Sequence, residues 1–301
     1  MNCKEAETPG AEIVYCPARY ENPAVREQLL KLYRDIFRVE FSEGYRKYFL
    51  DWPDFAGVVA LESRTGEIAG HFAAARFHAV IAGELMPFRM SMGFMTSPNF
   101  RGRGIATQLY RNLRDEILRR NDAKFIIGFP NDVSYHMHTH GMDYVSLKDY
   151  RFTVLPKSVP AGRYLPLSDF GGFRAEETPD KRNHLSYSAE YLSWRYRENQ
   201  YEKWVSGEGR LFISTRFRDK ADILYWDLSA SEEELLDFAA FLYERYAVSR
   251  VTTWNSAAFL NQYPAEERRY HMCVNCLNAD GAEKEAILGE WLFRMGDCEL
   301  F

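Results

Sequence analysis

The chain has 301 residues, 46% of them hydrophobic and 15% aromatic, with a formal net charge of -5. That is more chain than one ordinary domain uses and apolar enough for packed cores, so two units are expected. The negative charge argues against a general nucleic-acid binder. No apolar run reaches membrane-spanning length, the start Met1-Asn2-Cys3-Lys4-Glu5 is polar where a secretory signal would be apolar, and five cysteines fit a reducing compartment. A cytoplasmic protein with no membrane partner is expected.

In chain order, Ile13 to Tyr20 reads as a strand. Asn22 then supplies a helix N-cap and Pro23 a first-turn proline ahead of Val25, Leu29, Leu32, Ile36 and Phe37 at helical spacing. A second short helix is expected around Gly44 to Leu50. Val58 to Glu62 and Ile68 to Ile81 read as strands joined by a hairpin at Arg64-Thr65-Gly66-Glu67. A further turn at Gly83 leads into the strand Met86 to Thr96.

Ser97-Pro98-Asn99-Phe100-Arg101-Gly102-Arg103-Gly104-Ile105-Ala106 joins that strand to a helix. Ile105, Leu109, Leu113 and Ile117 recur every four residues, so the helix is amphipathic and begins near Gly104. Its first amides, those of Arg103, Gly104, Ile105 and Ala106, have no carbonyl partner within the helix and lie where the macrodipole favours an anion. Gly102 and Gly104 let a ligand approach the backbone and tolerate the angles of a tight anion-binding turn. There is no Gly-Lys-Ser/Thr ending of a nucleoside-triphosphate loop and no third glycine of a dinucleotide fingerprint. A diphosphate fits the turn; the plainer alternative is a strand-to-helix bend that needs glycine only for its angles.

Lys124 to Phe129 comes next as a strand ending in Pro130-Asn131. Arg101-x-x-Gly104-x-Ala106, preceded by a strand and Ser97-Pro98, resembles the pyrophosphate motif of the GCN5-related N-acetyltransferases (GNAT), and the order of elements matches that fold. The resemblance implies an α/β (α+β) fold: a mixed, mostly antiparallel, splayed sheet flanked by helices. It implies acetyl-CoA as co-substrate, with the diphosphate on Arg101, Gly102, Arg103, Gly104, Ile105 and Ala106. The pantetheine arm would pair with the backbone of Phe94, Met95 and Thr96 where the sheet opens, as a peptide pairs with a strand edge. Asn131 and Ser134, at the start of the next helix, are further cofactor contacts on the same resemblance.

Many members carry a tyrosine four residues before a Gly-Phe pair, as the acid that protonates the leaving thiolate. If Gly141-Met142 stands for that pair, the tyrosine position holds Met137, which donates no proton. Tyr135 and His136 are the nearby candidates. His136 and His140 share a helix face, but no third ligand has metal-site spacing, so no metal is expected. The strand Phe88-Arg89-Met90-Ser91-Met92-Gly93-Phe94 has no glutamate to act as base. Glu62, His71, His78 through water, or a main-chain carbonyl, remain open.

Pro156 to Pro179 is rich in proline, glycine and serine, which suggests the division 1–155, a linker 156–180 and 181–301. Ser188 starts a helix containing Leu192-Ser193-Trp194-Arg195-Tyr196, a pattern that resembles a segment of larger bacterial acetyltransferase-like proteins. Leu211 to Phe217 and Ala221 to Leu228 read as a hairpin turning at Arg218-Asp219-Lys220. Ser231-Glu232-Glu233-Glu234 caps a helix carrying Leu235, Phe238, Leu242 and Tyr246, and Arg250 to Trp254 is a strand. The succession repeats the second half of the family order without a phosphate loop, since three carboxylates stand where glycines should. A degenerate second GNAT-like unit is therefore expected, with Trp194, Trp204, Tyr225 and Trp226 either lining an acceptor pocket or packed in a core. Cys273-Val274-Asn275-Cys276 lacks a partner pair and alternates like a strand, so reduced packing cysteines are expected. The ending Trp291 to Phe301 is expected to be packed down.

On this reading the protein acetylates a primary amine of a small molecule by direct attack on the thioester, alone or as a homodimer. Two alternatives stand beside it, a non-catalytic acyl-CoA-binding module and an aminoacyl-tRNA-dependent transferase.

Overall fold

Helix ends and turns in the first half form where local chemistry asks for them. The computed structural model describes residues 12–38, 54–171, 182–197 and 200–298; the expected helix around Gly44 to Leu50 lies outside them. Helix α1 (Pro23–Phe37) begins at Asn22, whose side chain accepts from the Ala24 amide at 2.9 Å. Strands β1 (Ile13–Pro17), β2 (Phe55–Glu62), β3 (Ile68–Ile81) and β4 (Glu84–Thr96) follow one another across a sheet in that order. Ala82 and Gly83, both at positive φ, make the tight turn between β3 and β4. Helix α2 (Ile105–Arg120) buries Ile105, Leu109, Tyr110, Leu113 and Ile117, the stripe read from the sequence.

The chain packs as two units. The first takes the described residues up to Ala75 together with Ser91–Asn121; the second takes Arg76–Met90 and everything from Asp122 onward. Both long strands β3 and β4 therefore start in one unit and end in the other.

In the second unit β4 runs parallel to β5 (Phe125–Gly128), pairing at Arg89↔Ile126 and Met90↔Ile127. That is the extent of their pairing among the described residues, although β4 continues to Thr96. Arg89 is buried there and makes a two-pronged bond to Asp122, Nε to Oδ1 at 3.0 Å and Nη2 to Oδ2 at 2.6 Å. Helix α3 (Asp132–Gly141) and β6 (Val145–Leu155) come next, but β6 does not pair with β5. The strand between them is β13 (Ala265–Cys276), antiparallel to both. Strand pairing thus joins residues on either side of the Pro156 to Pro179 segment.

That segment is more structured than its composition suggests. Strand β7 (Tyr164–Pro166) pairs with β9 (Tyr201–Ser206), and the Ala161 and Gly162 amides donate to the Asp237 carboxylate. Beyond it come β8 (Asn183–Leu185), α4 (Ala189–Arg195), β10 (Leu211–Phe217), β11 (Lys220–Trp226), α5 (Glu232–Tyr246), β12 (Arg250–Trp254), α6 (Gly281–Ile287) and β14 (Trp291–Leu292). The hairpin β10–β11 is antiparallel, and α5 carries the chain over to β12, which runs parallel to β11. A parallel pair linked through a helix is also how β4 and β5 are joined.

The core of this region settles the role of its aromatics. Trp204 and Trp226 pack with Phe212, Ile223, Leu235, Phe238 and Leu242; Trp194 and Tyr225 are buried as well. These rings are buried in the interior, the second of the two expected roles. Cys273 is fully buried on β13, and burial pushes its thiol up to about 12, which suits a packing residue and not a redox pair.

Candidate active site

The strand-to-helix loop keeps its helix end open. Gly104 is the N-cap of α2 at φ +72, and no side chain caps that end. Among the described residues, the amides of Arg103, Gly104, Ile105 and Ala106 have no protein acceptor. Gly102 lies at φ +76, and a Cβ on either glycine would meet nothing within 4 Å. The two glycines are thus demanded by backbone conformation, with open space before them. Arg101 and Arg103 are exposed beside the loop, and the Arg103 guanidinium lies 5.4 Å from the centroid of the buried Phe100 ring. Ser97 begins the loop with its amide donating to Ala69 O at 2.9 Å, which ties it to β3.

Upstream, Phe94 and Thr96 are half-buried and Met95 is buried. Phe94 packs on Phe72 at 4.3 Å between centroids, and Met95 joins Leu29, Leu32, Tyr33, Val59 and Ile68 in a core cluster. The loop and these three residues share the first unit. Asn131, Ser134, Tyr135 and His136 belong to the second.

There, Asn131 caps α3 by accepting the Ser134 amide at 2.9 Å, and Ser134 Oγ turns back onto Asn131. These two residues have a structural duty that their spacing alone did not disclose. Tyr135 lies over His271 with ring centroids 4.2 Å apart. His271, on β13, holds Asp149 through Nδ1 at 2.7 Å and Asp132 through Nε2 at 2.8 Å. This imidazole between two carboxylates was missed from the sequence because His271 is more than a hundred residues from Tyr135; only its place on an alternating strand was visible. His136 is exposed and stacks on His140 at 4.1 Å. No group of His, Cys, Asp and Glu among the described residues is arranged to hold a metal ion.

The open candidates for a base fare differently. Glu62 accepts from the Thr65 amide at 2.7 Å and from Arg64 Nε, and those bonds hold its carboxyl at about 2. It closes the β2–β3 turn. His71 is fully enclosed, and burial lowers its pKa to about 4. His78 is exposed on β3, with its pKa lowered by partial burial and by Arg76.

A model of the acetyltransferase (GNAT) family matches residues 26–144, the stretch that carries the loop and α3. Residues 26–144 are a GNAT domain.

Similarity of fold extends well past that domain. A conserved protein of unknown function from Enterococcus faecalis V583, described as a probable N-acyltransferase, superposes with a TM-score of 0.69 at 13% identity, covering 89% of this chain and 73% of that one. A GCN5-related N-acetyltransferase from Kribbella flavida gives 0.64 at 12% identity over 89% and 71%. Another from Anabaena variabilis ATCC 29413 gives 0.64 at 15% over 89% and 73%. At these identities the likeness is one of fold. No curated protein matches the chain.

The Leu192-x-Trp194-Arg195-Tyr196 segment also acquires a role. Arg195 is buried, and its Nε donates to Gly296 O at 2.8 Å and its Nη2 to Cys298 O at 3.0 Å. It holds down the end of the described chain; residues 299–301 of the expected packed ending lie outside the described residues.

Proposed function

We propose that the protein is an acetyl-CoA-dependent N-acetyltransferase that acts on a primary amine of a small molecule. The observation that carries this is the uncapped amino end of α2, with Gly102 and Gly104 in left-handed conformations and open space in front of them. The amides of Arg103 to Ala106 would bind the diphosphate, with Arg101 and Arg103 supplying positive charge. The backbone of Phe94, Met95 and Thr96 would pair with the pantetheine amides. A small acceptor is preferred to a peptide on the expectation that residues after 155 enclose it. The division into 1–155, a linker 156–180 and a degenerate GNAT-like 181–301 is retained as a proposal, supported by the β10–β11–α5–β12 connection.

In the proposed reaction the amine nitrogen attacks the thioester carbonyl, a C–N bond forms and the C–S bond breaks. Tyr135 gives its phenolic proton to the leaving thiolate, the ammonium proton of the tetrahedral intermediate passes to solvent, and solvent returns a proton to the Tyr135 phenolate. The Glu62 carboxylate is occupied by the hairpin and the His71 imidazole is enclosed, so neither serves as base. His78 through water and a main-chain carbonyl stay open; if neither acts, the amine arrives already neutral and kcat/KM rises about tenfold per pH unit until the pKa of the substrate amine.

Calorimetry with acetyl-CoA, followed by thiol release with a panel of amines, tests the reading. Micromolar uptake with amine-dependent thiol release is expected. Uptake without turnover would favour a non-catalytic binding module, and no uptake would end the assignment.

A further inference from the structure

Strand β4 carries a left-handed residue three positions from its end. Gly93 lies at φ +56, a conformation that bends a strand and that side-chain-bearing residues rarely take. A Cβ there would fall on the Tyr33 hydroxyl and come within 3.3 Å of His71 Cε1. The Gly93 carbonyl is turned toward His71 of β3, whose Nδ1 is 2.8 Å away.

That contact fixes the state of the ring. A carbonyl can only accept, so Nδ1 carries the proton; Nε2 then holds the lone pair and accepts from the Tyr20 hydroxyl at 2.8 Å. The Tyr20 hydroxyl in turn occupies the place where a Cβ of Gly57 on β2 would stand. Tyr20 O–H, His71 and the Gly93 carbonyl form one line across β2, β3 and β4, wholly inside the first unit. His71 is 1% exposed, so it touches neither solvent nor substrate.

Gly93 leads directly into Phe94-Met95-Thr96, the last three residues of β4. We propose that His71 is a positioning residue for acyl-CoA: its Nδ1–H pins the Gly93 carbonyl and so sets the direction in which the amides and carbonyls of residues 94–96 are offered to the pantetheine arm. This rests on the proposed function above. The ring works as a fixed donor and not as a proton carrier, because both nitrogens are engaged and both partners face inward.

The substitutions distinguish the two nitrogens. In His71→Asn the amide nitrogen takes the place of Nδ1, in His71→Gln it takes the place of Nε2, and His71→Leu has no donor. Wild-type calorimetry with acetyl-CoA comes first; its failure would remove the functional reading. With wild-type binding in hand, His71→Leu is expected to raise the acetyl-CoA Kd and KM about tenfold, the effect of losing one buried hydrogen bond, with kcat at saturation little changed. His71→Asn should return both constants to within about threefold of wild type, and His71→Gln should not. Wild-type affinity in folded His71→Leu, or failure of His71→Asn to do better than His71→Gln, would overturn the proposal. Should His71→Leu not fold, nitrogen-15 NMR of the imidazole in the wild type and in Tyr20→Phe decides: an Nε2–H tautomer in either would overturn the proposal, whereas an Nδ1–H tautomer in both, held by the Gly93 carbonyl, supports it.

Discussion

Gly104 separates two kinds of reason for a glycine. Its φ of +72 costs an alanine about 1–2 kcal/mol, yet a methyl there meets no protein atom. Gly104→Ala should therefore lower stability by about that amount while weakening acetyl-CoA binding by more than tenfold, since the methyl would stand between the diphosphate and the amides. Calorimetry and a thermal melt on the same sample check both halves. Tyr135 and His136 part on similar grounds. Tyr135 rests on an imidazole held by two carboxylates, whereas His136 is exposed and stacks on His140. Steady-state kinetics should show Tyr135→Phe reducing kcat about 100-fold at unchanged KM for acetyl-CoA, and His136→Ala leaving kcat within about twofold. Gly102 and Gly104 were legible because their neighbours spell a strand, a turn and a helix. Gly93 was not, because the groups that crowd it and hold its carbonyl, Tyr33 and His71, are distant in sequence.

Two helix starts show how local chemistry decides what an element can hold. At α5, Ser231 accepts the Glu234 amide at 3.2 Å and Glu234 returns a bond to the Ser231 amide at 2.9 Å, while Asp227 accepts from Ser229 just before it. That end is closed by the protein's own side chains. At α2 the corresponding amides are open. Ser231→Ala should cost about 1 kcal/mol in urea unfolding and leave acetyl-CoA affinity unchanged, the reverse of a loop substitution. Such caps are readable because they act over three residues. The same locality explains what the sequence kept back: the Pro156 to Pro179 stretch shows no periodicity, and β7 forms within it because β9 and Asp237 supply partners from more than thirty residues away. Likewise the alternating stretch Cys273 to Cys276 proved to be the end of the twelve-residue β13, whose largely exposed first part alternates poorly but pairs with β6.

For the molecule as a whole, two buried groups give opposite responses to acid. Burial lowers His71 in the first unit from 6.5 to about 4, so between those values the unfolded chain holds a proton that the folded one lacks. Its contribution is complete above pH 6.5 and is lost as pH falls through 4, about 3 kcal/mol for a shift of this size. Asp297 in the second unit is raised from 3.8 to about 6, chiefly by burial and against the pull of Arg294, so there the folded chain holds the extra proton. Its contribution is complete below pH 3.8 and is lost as pH rises through 6. The unfolding free energy of the wild type relative to His71→Asn should therefore shrink from pH 7 to pH 4, while that relative to Asp297→Asn should grow. Tryptophan fluorescence in a Trp52→Phe background is a suitable probe, because the sixth tryptophan, Trp52, falls in the first unit and the other five, Trp194, Trp204, Trp226, Trp254 and Trp291, in the second. If the units unfold together, both trends appear in its single transition. If they unfold apart, the Asp297 trend alone appears there, and the His71 trend must be sought in the imidazole signal of His71 itself. Parallel pH trends for the two variants, by either probe, would contradict the burial argument at one of the two sites.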